Sequence, residues 1–131
     1  MRSAESTALP TPIPFDRFSV QDVFTAFARA DCPSAVWNKT SPSPVRDQPG
    51  LGDRWVFEIP RIAPAGGQVI VFDSQAQRAE WEAYIAELRN DDETRRDVVY
   101  TYFHENLMLQ LNAGLTNQEA GVYRDALLGL Q

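Results

Sequence analysis

Apolar positions alternate between two periods along this chain. Val20, Val23, Phe24 and Phe27 share one side of a helix. Trp81, Tyr84, Ile85 and Leu88 repeat that spacing, with Arg78, Glu80, Glu82 and Glu87 mostly opposite. Ala120, Tyr123, Ala126, Leu127 and Leu130 predict a third helix, which runs to the end of the chain. Each helix is announced by a hydroxyl three residues ahead of a side chain that can reach back to the cap's own amide. The pairs are Ser19 with Asp22, Ser74 with Gln77 and Thr116 with Glu119. Phe18 precedes the first cap and is placed to staple against Val23. Pro33 ends the first helix, and Cys32 falls at its last turn.

Between the helices the period drops to two. Residues 55–59 alternate as WVFEI, and 68–73 form a β-branched and aromatic run, QVIVFD, preceded by Gly66 and Gly67, which read as a turn. The stretch 98–112, VVYTYFHENLMLQLN, predicts a hairpin turning at Glu105 and Asn106, with Asn106 supplying the tolerance for positive φ. In that register Tyr100 faces Leu111 and Tyr102 faces Leu109. One side then collects Tyr100, Tyr102, Leu107, Leu109 and Leu111, and packs under helices. The other side shows Val99, Thr101, Phe103, Met108 and Gln110, too polar for a dry core, and is expected to be open or half covered. A weaker strand candidate is 34–40, SAVWNKT. The order of elements predicts an α+β fold: a mainly antiparallel sheet of four or five strands with three helices packed on one face.

Composition adds boundaries and exclusions. All nine prolines lie at or before Pro64, and in ALPTPIP, 8–14, every second residue from Pro10 is proline, a pattern that favours polyproline II. Residues 1–14 read as a tether or as an ordinary frayed terminus, and 15–131 as a single α+β domain. The run SPSPVRDQPGLG, 41–52, reads as a surface loop. No apolar run reaches the length of a membrane span, and the first residues lack the apolar stretch of a signal peptide. Twelve basic against 18 acidic side chains give a net charge of -6, which argues against a nucleic-acid partner. One histidine and one cysteine exclude a Cys/His metal cluster and a disulfide framework.

The candidate chemistry is correspondingly thin. His104 is the one imidazole base, beside the hairpin turn and without an evident orienting partner, so a solvated role outweighs a catalytic one. Cys32 sits at a helix C-terminus, where the dipole has the wrong sign to activate a thiol. Asp91, Asp92, Glu93 and Asp97 form an acidic loop, but Arg89, Arg95 and Arg96 are interleaved and no glycine allows a calcium-loop turn. Gly66-Gly67 precedes a strand and not a helix, unlike a phosphate cradle. The mixed hairpin face is a better candidate: Phe103 and Met108 lie opposite one another with Thr101 and Gln110 beside them, a blend suited to protein contact. Either a partner meets this face or the tether or the 41–52 loop covers it.

The segments FSVQDVFTAFARADCP, FEIPRIAPAGGQVIVFDSQAQRAEWEAYIAEL and YTYFHENLMLQLNAGLTNQEAGVYRDAL together resemble a set of small bacterial proteins made as secreted or lipid-anchored precursors. The resemblance covers nearly the whole chain from Phe18 onward. It implies a single domain held by a Pro- and Thr-rich stretch behind a lipid-modified cysteine. This sequence has no cysteine ahead of ALPTPIP, and it carries Phe72 and Ala79 where some relatives have a cysteine pair. The family confers no catalytic residues.

The expected function is a non-enzymatic, extracytoplasmic protein-binding or envelope-associated module. No catalytic, cofactor or metal residues are assigned, and Thr101, Phe103, Met108 and Gln110 are the partner-binding set. The expected partner is a protein or envelope component, with the membrane reached only through the tether or a partner. A second copy pairing through the open hairpin edge would make a homodimer. Two alternatives stand beside it: an accessory subunit of a membrane-associated complex docking by its N-terminal arm, and a small hydrolase or ligand-binding protein with a pocket near His104. If Met1 is the authentic start, the expected location becomes cytoplasmic.

Overall fold

A computed structural model describes residues 17–40 and 53–130. The proposed tether and the 41–52 loop lie outside the described residues. Three helices, α1 (Val20–Arg29), α2 (Gln75–Arg89) and α3 (Asn117–Leu128), accompany five strands: β1 (Ala35–Thr40), β2 (Asp53–Glu58), β3 (Gly66–Val71), β4 (Tyr100–His104) and β5 (Leu107–Leu111). The strands form one antiparallel sheet in the order β1-β2-β3-β5-β4. The hairpin has the expected register, with Tyr100 opposite Leu111 and Tyr102 opposite Leu109.

All three caps form. Asp22 accepts from the Ser19 main-chain N–H at 2.8 Å, and Glu119 and Thr116 exchange both bonds of a capping box. At α2 the Gln77 main-chain N–H donates to Ser74 Oγ, but the Gln77 side chain accepts from Asp73 instead of Ser74. Helix α1 closes with Asp31 at φ 56°, the Asp31 N–H on the Ala28 carbonyl and the Cys32 N–H on that of Phe27. That is a Schellman motif with aspartate where glycine is usual. It turns Cys32 inward onto the core.

The sequence reading expects all three helices on one face, and the structure divides them between two. Helices α1 and α3 pack through Val23, Phe27, Ala120, Tyr123 and Leu127 on Phe57, Val69, Leu107, Leu109 and Leu111. Helix α2 lies on the opposite face, where Trp81 and Ile85 meet Ile70, Phe72, Val98 and Met108. The reason is in the strands: β3 carries Val69 on one face and Ile70 on the other, both buried, so each face needs a cover. The result is a three-layer arrangement with α2 spanning only part of its side.

Two turns also differ. Gly66 and Gly67 begin β3 instead of making a turn; the reversal is built by the 3₁₀ turn Pro60–Ile62, with the Ile59 N–H on the Ala65 carbonyl. At the hairpin, Glu105 and not Asn106 takes positive φ, 51°. Asn106 is committed elsewhere: it is 1% exposed, accepts from the Phe18 main-chain N–H at 3.0 Å and donates to the Phe18 carbonyl at 2.8 Å. Strand β1 carries a bulge between Ala35 and Asn38, with Val36 at φ 54°. Positive φ is unfavourable for a β-branched residue. The extra residue brings Trp37 onto Phe57, with ring centroids 4.4 Å apart and nearly parallel.

Candidate functional site

The α2-bearing face is divided between two rows of side chains. Ile70, Met108 and Phe103 lie side by side across β3, β5 and β4 and are covered by α2. The next row is Gln68, Gln110 and Thr101, again directly opposed. This row is joined to Arg54 of β2 in a one-way hydrogen-bonded chain. Arg54 Nε donates to Gln68 Oε1 at 2.6 Å, Gln68 Nε2 to Gln110 Oε1 at 2.7 Å, and Gln110 Nε2 to Thr101 Oγ1 at 3.0 Å.

Arg54, Gln68 and Gln110 line an open cleft of about 380 Å³ with Val56, Gly66, Gly67, Asp97 and Asn112. The side chains of Arg54, Gln68 and Gln110 are half-buried. Each glutamine keeps one N–H and one acceptor position outside the chain of bonds. Arg54 and Asp97 both line the cleft, and neither has an ion-pair partner among the described residues. Such an arrangement binds by fixed donors, acceptors and two opposite charges.

Of the four residues expected to bind a partner, Phe103 and Met108 fall in the row under α2 and Thr101 and Gln110 in the next one. Met108 is 0% exposed and belongs to the second core, so it is not available to a partner. Phe103 is half-buried, stacked on Phe72 and covered by the Arg78 guanidinium 5.7 Å from its centroid. Thr101 is 4% exposed and ends the ladder, and Gln110 alone of the four lines the cleft. Arg54, Gln68 and Asp97 were missed. For Arg54 and Gln68 the signal is a polar residue on the same face of adjacent strands, readable only once strand order and register are known, whereas Asp97 lies in the 3₁₀ turn before β4.

The remaining candidates have structural roles. His104 Nε2 lies 2.9 Å from the Leu130 carbonyl, and the ring stacks on Phe18. Cys32 is buried, and loss of solvation, followed by the charge of Asp31, pushes its thiol pKa up. It is therefore a protonated packing group. In the acidic loop Asp92 pairs with Arg95 and Asp91 accepts from the Glu93 N–H. No cluster of metal-ligating side chains occurs among the described residues. The sheet edge at β4 is partly closed, since Arg89 donates to the Thr101 carbonyl at 2.9 Å.

A second groove lies on the other face between α3 and the Pro60–Ile62 turn, lined by Pro33, Ile59, Leu115, Val122 and Tyr123. Arg61 spans its rim to Glu119 in a two-point guanidinium–carboxylate pair. That pair, followed by the Thr116 main-chain N–H, holds the Glu119 carboxyl below the usual carboxylate range. A depressed pKa stabilises the fold above the unfolded value, and the contribution is lost as pH falls through the folded one. Glu119→Gln is expected to flatten the acid limb of urea midpoints plotted against pH. An unaltered acid limb would place this exposed pair among those that contribute nothing.

The chain matches no protein-family model, no curated protein and no solved structure.

Proposed function

We propose that this chain is a non-enzymatic binding module that engages a protein partner through the uncovered half of its α2-bearing sheet face. The observation that carries this reading is the Arg54–Gln68–Gln110–Thr101 ladder in an open cleft. Half-exposed polar groups in an open cleft are solvated when free and can exchange that water for the donors and acceptors of a partner. A polar, partly charged surface held rigid by four strands is suited to directional contacts of low ordering cost. The commitments of two reactive groups support a binding role over a catalytic one: His104 Nε2 lies within hydrogen-bond distance of the Leu130 carbonyl, and the Cys32 thiol is buried with its pKa pushed up. The extracytoplasmic location and the N-terminal tether belong to the same proposal and rest on the family resemblance.

Photo-crosslinking in cells tests it. A crosslinking residue in place of Ala113, at the rim of the cleft, is expected to trap one discrete protein. The same residue in place of Val122, on α3, is expected not to. Arg54→Glu in the Ala113 variant should abolish the adduct. Equal adducts from both positions, or an adduct insensitive to Arg54→Glu, would refute the assignment of this face.

A further inference from the structure

The two edges of the sheet are closed in different ways. At β1 the bulge between Ala35 and Asn38 interrupts the ladder, and Asn38 Nδ2 donates to the Val36 carbonyl at 3.1 Å. Strand β4, at the other edge, is regular over Tyr100–His104. Its outward groups follow from the ladder. The Phe72 N–H donates to the Asn106 carbonyl and the Asn112 N–H to the Gly66 carbonyl, so even-numbered residues along β5 turn their main-chain groups to β3 and odd-numbered ones to β4. Leu107, Leu109 and Leu111 therefore bond to His104, Tyr102 and Tyr100, which leaves the N–H and C=O of Thr101 and Phe103 directed off the sheet. Of these, the Thr101 carbonyl alone has a partner among the described residues, Arg89 Nη2 at 2.9 Å.

Arg89 is the last residue of α2, and the end of that helix is held in place. Thr94 Oγ1 donates to the Leu88 carbonyl at 2.7 Å, and Arg95 Nε donates to that of Arg89 at 3.0 Å. The guanidinium is thus carried across the edge by a fixed backbone. Without it, β4 would match a second copy of itself. Two such strands, antiparallel about a two-fold axis at Tyr102, pair Thr101 of each copy with Phe103 of the other through four main-chain hydrogen bonds. Two of the four need the Thr101 carbonyls. A guanidinium bonded to that oxygen stands where the incoming strand would run, and pairing would also bring two Arg89 cations to one junction. We infer that Arg89 keeps this chain from joining edge to edge with a second copy, by occupying the acceptor on which the pairing depends and placing a charge beside it. The homodimer through the hairpin edge that the sequence allows is the assembly this contact prevents.

Sedimentation velocity of the full chain over a concentration series tests this. The parent is expected to stay monomeric. Arg89→Ala, and Arg89→Met, which keeps most of the stem without donor or charge, should each self-associate at least about tenfold more tightly, as the release of two acceptors per dimer predicts. Hydrogen exchange followed by amide-correlation NMR locates the contact: in the variants the Thr101 and Phe103 amides should exchange more slowly as concentration rises. Variants as monomeric as the parent, or association that leaves those two amides unchanged, would overturn the inference. The parent alone can do so too, if its own Thr101 and Phe103 amides slow with concentration, because the edge would then pair with Arg89 in place.

Discussion

Asn106→Leu is expected to destabilise the protein by about 3 kcal/mol, because it strands both main-chain groups of Phe18. The Asn106 amide is buried and pairs with the Phe18 N–H and C=O together, as a neighbouring strand would. A buried polar group left without a partner costs about 1–3 kcal/mol, and here there are two. Phe18 is also the residue that seats the start of α1 against the core and stacks on His104. The loss is a large share of the stability usual for one domain. Urea unfolding followed by circular dichroism measures it. Asn106→Asp separates hydrogen bonding from size. Near neutral pH its second oxygen would face the Phe18 carbonyl, so it should be no better than leucine, but it should recover as acid protonates it and restores a donor. A leucine variant within about 0.5 kcal/mol of the parent would mean that Phe18 finds other partners.

The second large effect is expected at Gly66, and its cause is space. A Cβ built there would lie 2.1 Å from the Phe57 carbonyl oxygen and 2.7 Å from the Glu58 Cα, both of them backbone of the adjacent strand. No rotamer relieves such a contact; β2 and β3 would have to part. Gly66→Ala should therefore cost about 3 kcal/mol, the upper range for overpacking. Gly67→Ala is expected to cost less, since part of its clash is with the tip of the Phe57 ring at 2.8 Å, although the Gln110 carbonyl at 2.8 Å is fixed. Urea midpoints of the two variants give the order. A Gly66→Ala protein as stable as the parent would show that the strands separate freely there. Because both glycines border the cleft, the same substitutions would also disturb its floor.

Much of the local structure was legible from residue types alone. Ser19, Ser74 and Thr116 are the N-caps of the three helices, and Trp81, Ile85, Tyr123 and Leu127 face the core as their spacing predicts. These features depend on neighbours three or four residues away. The hairpin register was legible for the same reason, since a two-residue turn sets every pair that follows it. Phe24 is the exception within a helix: its position on the apolar stripe predicts burial, yet it is 42% exposed, at the margin beside Trp37.

What residue spacing did not reveal is which sheet face each helix covers. A run such as QVIVFD is apolar on both sides, and it is compatible with helices on one face or on two until the strand order is known. That one decision relocated the candidate site. Met108 and Phe103 went under α2, while Gln110 stayed open and was joined by Gln68 and Arg54 from strands 42 and 56 residues away in sequence. Asn106 likewise reads as a turn residue locally and becomes a tie to Phe18 only through tertiary contact, 88 positions distant. By itself, then, the sequence determined the α+β class, the caps, the helix faces and the hairpin pairing, all set by short-range sterics and periodicity. The tertiary structure decided the layering, the tie at Asn106 and the composition of the cleft, because each depends on which distant side chains the strand order β1-β2-β3-β5-β4 places in one row.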